Sequence, residues 1–335
     1  MKYILVTLLL FGGMILYTKI ANKYLIFDTP NIRSSHTRRT IRGGGVVFLL
    51  SIFFTGILYH PIYWIPILGA VLIGIISFID DNIGVSQRLR LLVHFVAISL
   101  LFYFLNVYTS VSVVAVVALF VLVVGIINAY NFMDGINGIT GLYSLVVLGS
   151  LQYINFYHNH FIEDDLIWFP MLACLVFLYY NFRKEAKVFA GDVGSICVAF
   201  WIVFLIGDLI IETGNPVYIL FLSVYGVDTV LTIIHRLFLR QNIFEAHRLH
   251  FYQILANEQK VSHLVVSTAY ALIQLGIISF VVTSTFSFLA TALIATLPLA
   301  AIYIYLKPKM MNAKSIAKNA ELLEKHHEPA LIKAD

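Results

Sequence analysis

Charge is what this chain of 335 residues has least of, since only 12% of it is Asp, Glu, Lys or Arg against about 25% in an ordinary soluble domain. With 60% of the residues hydrophobic, water is not its main solvent. A formal charge of +4 would suit nucleic acid, but a nucleic-acid binder gathers its cations on a soluble domain with its own core. No such domain is visible, so nucleic acid is not a partner. Cysteine is nearly lacking as well. Cys174 and Cys197 both lie in apolar runs, which excludes a disulfide framework or zinc site and makes them packing residues. No small-residue cleavage site follows the apolar stretch Met1 to Ile20, so it reads as a first span rather than a signal peptide. No internal repeat supports an inverted-repeat transporter.

What is present is a series of long apolar runs. A helix needs roughly 20 mostly apolar residues to cross about 30 Å of hydrocarbon. Cutting the chain at its polar clusters gives spans at 3–20, 44–59, 62–79, 91–108, 110–127, 138–156, 165–181, 194–211, 216–235, 262–282 and 286–306. The expectation is an all-α, polytopic membrane protein of about eleven transmembrane helices, because lipid leaves backbone groups no partner outside a helix or closed barrel and these runs are too long and evenly apolar for barrel strands. One transmembrane domain covers 1–306, and 307–335 forms a basic tail.

Lys and Arg accumulate in short cytoplasmic loops, and here the bias is nearly absolute. With the N-terminus outside, the segments 20–43, 80–90, 128–137, 182–193, 236–261 and the tail face the cytoplasm. Every Lys and Arg lies in or beside them except Lys2. The opposite loops, among them Tyr157 to Asp165 and Ile211 to Pro216, contain none.

Four polar clusters fall on that one face. Asp80-Asp81 closes the third span, where adjacent carboxylates repel and invite a divalent cation or a proton pathway; it can also be a solvated helix end. Asn128, Asn131 and Asp134 recur every three residues and share a helix face, beside Gly135, Gly138 and Gly141. They form either a polar wall or an interhelical seam. Lys187 and Gly191-Asp192-Val-Gly194-Ser195 precede a span, offering N–H donors and a positive dipole end to phosphate. Asp192 serves a metal or caps the helix. The long loop with Arg236, Arg240, Glu245, His247, Arg248 and His250 suits a phosphate-rich ligand or a plain basic surface. The first inner loop adds Arg33, Ser35, His36 and Arg42-Gly43-Gly44-Gly45. Singly each has a structural explanation. Together, on one side of the bilayer, they point to a magnesium-bound, phosphate-containing substrate.

On Arg33-Ser-Ser-His36, Arg42-Gly-Gly-Gly45, Asp80-Asp81, Asn131-Phe-Met-Asp134-Gly135, Lys187-Val-Phe-Ala-Gly-Asp192-Val-Gly-Ser195 and Glu245-Ala-His247-Arg-Leu-His250, the chain resembles the polyprenyl-phosphate N-acetylhexosamine-1-phosphate transferases, glycosyltransferase family 4. The segments Arg88 to His94 and His247 to Gln253 resemble the O-antigen initiating branch. The resemblance implies transfer of a sugar 1-phosphate from a UDP-N-acetyl sugar to undecaprenyl phosphate, with UMP released and a lipopolysaccharide or other cell-surface glycan begun. It implies magnesium, or manganese in its place. It implies Asp80, Asp81, Asp134 and Asp192 as catalytic residues, Asp192 as direct metal ligand, and Asp80 and Asp81 near the metal or lipid phosphate.

Substrate-binding residues would be Arg42, Arg90, Asn128, Asn131, Lys187, His247, Arg248 and His250, the cations neutralising the diphosphate and the leaving UMP. The partners are then the UDP-N-acetyl sugar, undecaprenyl phosphate and membrane lipids, in a bacterial inner membrane, with a homodimer left open. There are two departures. Asn137 stands where many relatives carry a second Asp, which takes away a carboxylate role there, including nucleotide contact. The many-His loop of the peptidoglycan enzyme is absent, which favours a smaller N-acetylated sugar such as GlcNAc or a deoxy derivative over a muramoyl-pentapeptide. The alternative from another class is an ion-coupled secondary transporter, which would place its binding groups at the bilayer midplane rather than at span ends.

Overall fold

A computed structural model of the protein describes residues 1–30, 35, 38–59, 61–242 and 247–311. Arg33, Ser34, His36, Glu245 and the tail from 312 onward lie outside the described residues. The helices are α1 (Lys2–Lys23), α2 (Val46–Phe54), α3 (Trp64–Ile83), α4 (Gln87–Phe104), α5 (Val107–Ser110), α6 (Val113–Met133), α7 (Ile139–Tyr157), α8 (Asp165–Asn181), α9 (Gly191–Thr213), α10 (Ser223–Phe238), α11 (Phe251–Gln253), α12 (His263–Thr283) and α13 (Phe288–Met310). A π-helical turn, Thr55–Tyr59, continues α2, a 3-10 segment, Pro216–Leu222, leads into α10, and a second π turn, Ile254–Glu258, follows α11.

Every expected span falls on helix, and nine helices among the described residues are long and apolar enough to cross a membrane. The expected eleven is therefore not reached on that measure. α8 has 17 residues and carries Pro170, and α2 stops after 9 residues where the π turn begins. α13 runs on to Met310, past the boundary expected at 306.

α9 is the hub. Each residue from Val193 to Ile206 is buried in it, which is why its sequence is apolar all round rather than striped. It packs on α3, α6, α2 and α7. By contrast α13 is only 17% buried in its most apolar window, leaving its surface for lipid. Serines start several spans: Ser86 accepts from the Leu89 N–H, Ser112 from Ala115 and Ser287 from Ala290, each taking one of the helix's unpaired donors.

The described residues hold two short strands, β1 (Phe27–Asp28) and β2 (Thr40–Ile41), paired antiparallel with Phe27 opposite Ile41. Ile41 also bridges Val188 in parallel. The chain then stays in register with the segment before α9: Phe189 N donates to Ile41 O at 2.8 Å, Gly44 N to Phe189 O at 2.8 Å and Gly45 N to Ala190 O at 2.9 Å. This small seam binds the first loop to the start of α9. At its end Gly45 lies so close to Gly194 that a Cβ on Gly45 would stand 2.0 Å from the Gly194 Cα. Glycine is required there by backbone contact.

At the far end of the molecule Lys2 donates to Asp165 at 2.7 Å. The lone cation outside the basic face is thereby neutralised, its partner being buried.

Candidate active site

Helices α3 and α6 end, and α9 begins, at one end of the bundle. The chain direction therefore delivers Asp80-Asp81, Asn131 to Asp134 and Asp192 to a common region, and the β2 seam brings Arg42 there. A cavity of about 380 Å³ opens among them, lined by Arg42, Asn131, Asp134 and Asp192 together with Asp28, Ser35, Phe189, Gln253 and His263.

Asp192 stands in the first turn of α9. Its Oδ1 accepts from Asn131 Nδ2 at 2.9 Å, and the same amide donates to Ser195 Oγ at 3.2 Å. Asn131 is thus held by two residues of α9 and fixes the orientation of the Asp192 carboxylate. Gly191 just before it has φ +71, and a Cβ there would meet Asp81 Oδ2 at 2.5 Å, so the approach of Asp81 to the helix start depends on glycine.

Asp80 and Asp81 engage different partners, and neither lines the cavity. Asp81 Oδ1 accepts from the Asp192 N–H at 3.1 Å and its Oδ2 from the Val193 N–H at 3.2 Å. Arg42 Nη2 completes its surroundings at 2.6 Å from Oδ1. Both oxygens are committed to capping α9 and to an ion pair, on a side chain only 1% exposed. Asp80 Oδ1 accepts from Val85 N at 2.7 Å, and its Oδ2 pairs with Arg90 at 2.9 Å. Arg90 therefore belongs to Asp80.

Asp134 accepts from Thr140 Oγ1 at 2.6 Å. Loss of water around its carboxyl pushes its pKa up to about 7, the charges of Asp192 and Asp81 adding to this, while Thr140 and Arg42 oppose it. Three carboxylates thus crowd a site in which Arg42 is the cation that reaches two of them, being 3.9 Å from Asp192 as well. That excess of negative charge fits a divalent cation. Among the described residues no three His, Cys, Asp or Glu side chains converge as a ready cage. Among the described residues the Asp192 contacts fall on its Oδ1, which leaves Oδ2 as a ligand, and magnesium is ordinarily held by one or two carboxylates, waters and substrate phosphates rather than by an all-protein shell. The residues present fit the ion on those grounds.

The other expected residues lie around this centre. Asn128 is one turn up α6. Lys187 N donates to Tyr180 O at 2.9 Å, and neither side chain lines the cavity. His247, Arg248 and His250 pack at the next segment, the two imidazoles 4.9 Å apart and flanked by Phe132. Burial first, then the charges of His250, Arg236 and Lys307, pushes the His247 pKa down to about 2, so this ring is neutral at pH 7. Asn137 donates to the Arg183 carbonyl at 2.8 Å and holds the 182–187 loop, work that an Asp could not do because it has no donor.

Some residues of the site lie outside the acidic motifs: Gln253 closes the His247 to Gln253 segment, and His263 carries no motif. Gln253 and His263 line the cavity from segments far along the chain, and His263 Nδ1 accepts from Asn137 N at 3.4 Å. Asp228 in α10 is buried and gathers the His250 segment. A lone Asp inside an apolar run was a signal for it.

Comparison with known proteins gives one family. Residues 63–209 match the family described as glycosyl transferase family 4, a stretch holding Asp80, Asp81, Asn131, Asp134, Lys187 and Asp192. No curated protein matches the chain.

Proposed function

We propose that this chain, which through residues 63–209 is a glycosyl transferase family 4 protein and so a phosphosugar transferase of the polyprenyl-phosphate type, moves an N-acetylated sugar 1-phosphate from a UDP-sugar to undecaprenyl phosphate. An oxygen of the lipid phosphate attacks the sugar-bearing phosphorus, a new P–O bond forms, the bond to the bridging oxygen breaks, and UMP leaves. The lipid-linked diphosphate sugar then begins a cell-surface glycan, with O-antigen of lipopolysaccharide favoured by the Arg88 to His94 and His247 to Gln253 segments. The protein lies in the bacterial inner membrane with its N-terminus outside and this cavity at the cytoplasmic face.

One observation carries the reading: Arg42, Asn131, Asp134 and Asp192, from separate parts of the chain, line a single cavity. Two anionic reactants repel, so the work of the site is to neutralise and align them. Magnesium, or manganese, would be held by Asp192 and would supply charge neutralisation to the diphosphate. Asn131 orients that carboxylate. Asp81 holds the start of α9 and the Arg42 guanidinium in place. Arg42 adds positive charge beside the phosphates, and Lys187 and Arg248 lie outside the lining of the cavity. The acceptor phosphate is already ionised, its second pKa being about 6, so a strong general base is not demanded. Asp134, with its raised pKa, is placed to exchange a proton with the site.

The test is to incubate membranes holding the protein with undecaprenyl phosphate and a panel of UDP-sugars, measuring UMP and weighing the lipid product. A product heavier by one N-acetylhexosamine phosphate is expected. Solute uptake by reconstituted vesicles without UMP would instead establish a transporter.

A further inference from the structure

The strongest polar centre outside the cavity is Asp228, 4% exposed in the middle of an apolar helix. An isolated ion there is costly, yet five donors converge on it. Its Oδ1 accepts from Phe251 N at 3.0 Å and Thr232 Oγ1 at 3.2 Å, and faces His250 Nδ1 at 3.3 Å. Its Oδ2 accepts from Tyr270 Oη at 2.8 Å and Tyr252 N at 3.4 Å. A carboxylate that takes so many donors is ionised and acts only as acceptor, so the proton between the two side chains resides on His250 Nδ1.

That leaves Nε2 as the ring's one remaining hydrogen-bonding edge, and it is buried with no partner among the described residues. The ring is 2% exposed, between Phe132 and His247. Its own backbone N–H donates to Gln253 Oε1 at 3.3 Å, and Gln253 lines the cavity. Tyr252, held by the same carboxylate, donates to the Phe132 carbonyl at 2.8 Å, close to Asp134.

From this geometry we infer that Asp228 is a positioning residue for the transfer: it fixes the ring plane and the Nδ1 proton of His250, directs the Nε2 edge to a substrate phosphate group, and seats Tyr252 and Gln253 against the Asp134 wall. A metal-site histidine is oriented by a carboxylate in the same manner, but here the oriented ring serves a phosphate. The inference rests on the transferase reading, and its test separates the two.

The experiment uses full-length protein carrying ¹⁵N-labelled histidine in nanodiscs, with His250 assigned by its loss in His250→Asn. The wild type shows a protonated Nδ1, and UDP with magnesium shifts the Nε2 resonance. Asp228→Asn loses the Nδ1 signature and lowers the kcat of UMP release about 10- to 100-fold, the range for loss of an orienting group, with KM for the UDP-sugar within about twofold. His250→Asn keeps a donor toward Asp228 but removes the Nε2 edge; it inserts and melts as the wild type does and loses kcat to a similar extent. Should Asp228→Asn fail to insert, this second variant decides the matter. A wild-type kcat in His250→Asn, or an unaltered His250 signature in Asp228→Asn alongside lowered thermal stability, overturns the inference and makes Asp228 a brace only. If the wild type releases no UMP from any UDP-sugar, the transferase reading fails, while the resonances still report whether Asp228 orients the ring.

Discussion

The Asp81 carboxylate accepts the backbone N–H of Asp192 at 3.1 Å, so one acidic residue sets the helix start from which the other projects. The two are not equivalent. Asp192 lines the cavity with only its Oδ1 engaged among the described residues, whereas Asp81 has both oxygens engaged. Replacing Asp81 with Ala therefore unpins α9 and leaves the Asp192 and Val193 N–H groups without their acceptor, costing about 1–3 kcal/mol, while the released Arg42 can turn to water. Thermal unfolding in detergent should show a clear loss for Asp81→Ala and a smaller one for Asp81→Asn, which keeps acceptor capacity on one atom.

Asp192→Asn leaves folding nearly untouched, because the Asn131 amide still finds an oxygen to donate to, but it removes the charge that would hold the cation. UMP release should fall at least about 100-fold at unchanged membrane insertion, measured by a coupled UMP assay and a fluorescence chromatogram. Full activity in that variant would remove Asp192 from the mechanism.

Chelation should have the same outcome as that substitution. EDTA is expected to abolish UMP release, and added magnesium to restore it, since the crowded carboxylates otherwise repel the diphosphate. Persistence of turnover in chelator would contradict the assignment of this cavity to a metal-neutralised diphosphate.

The Asp134 carboxyl, raised from an ordinary 3.8 to about 7, gives a pH dependence of known sign. Between those values the folded chain retains a proton that the unfolded chain has lost, so stability falls as pH rises across that window. Melting measured in EDTA should decline from about pH 4 to about pH 7. Asp134→Asn should make the decline shallower, and magnesium should diminish it by stabilising the ionised form. A slope unchanged in the variant would assign the titration elsewhere.

The conformation of Gly191 supplies a last variant. At φ +71, and with Asp81 Oδ2 only 2.5 Å from where a Cβ would stand, alanine is strained by about 1–2 kcal/mol and pushes the carboxylate off the helix start. Gly191→Ala should lower both melting temperature and UMP release, whereas substitution at Gly226, where a Cβ meets nothing within 4 Å, should leave both near wild type.

Much of this is legible in the order of the residues, and the reasons are physical. Apolar run length and cation placement mark the helices and the common face, because both follow from the bilayer itself. The grouping of Asn131, Asp134 and Asp192 follows from their places at span ends. The divergence of Asp80 from Asp81 was not legible as such, although neighbouring residues on a helix point roughly 100° apart and so reach different partners. His263 belongs to the cavity through tertiary folding and no local pattern marks it, whereas Gln253 was marked as the end of the His247 to Gln253 segment without its place in the cavity being legible. The shortness of α2 was hidden by the π turn, which continues the apolar run without continuing the α-helical one.

The touching backbones of Gly45 and Gly194 carry a consequence for selectivity. The first inner loop and the start of α9 meet there without side chains between them, so the seam beside the cavity has no packing layer that could slide to make room for a larger guest. Discrimination between substrates would then fall to the side chains of the cavity lining, Gln253 and His263 among them, and altering the preference by engineering should succeed at those two positions and fail at the glycines.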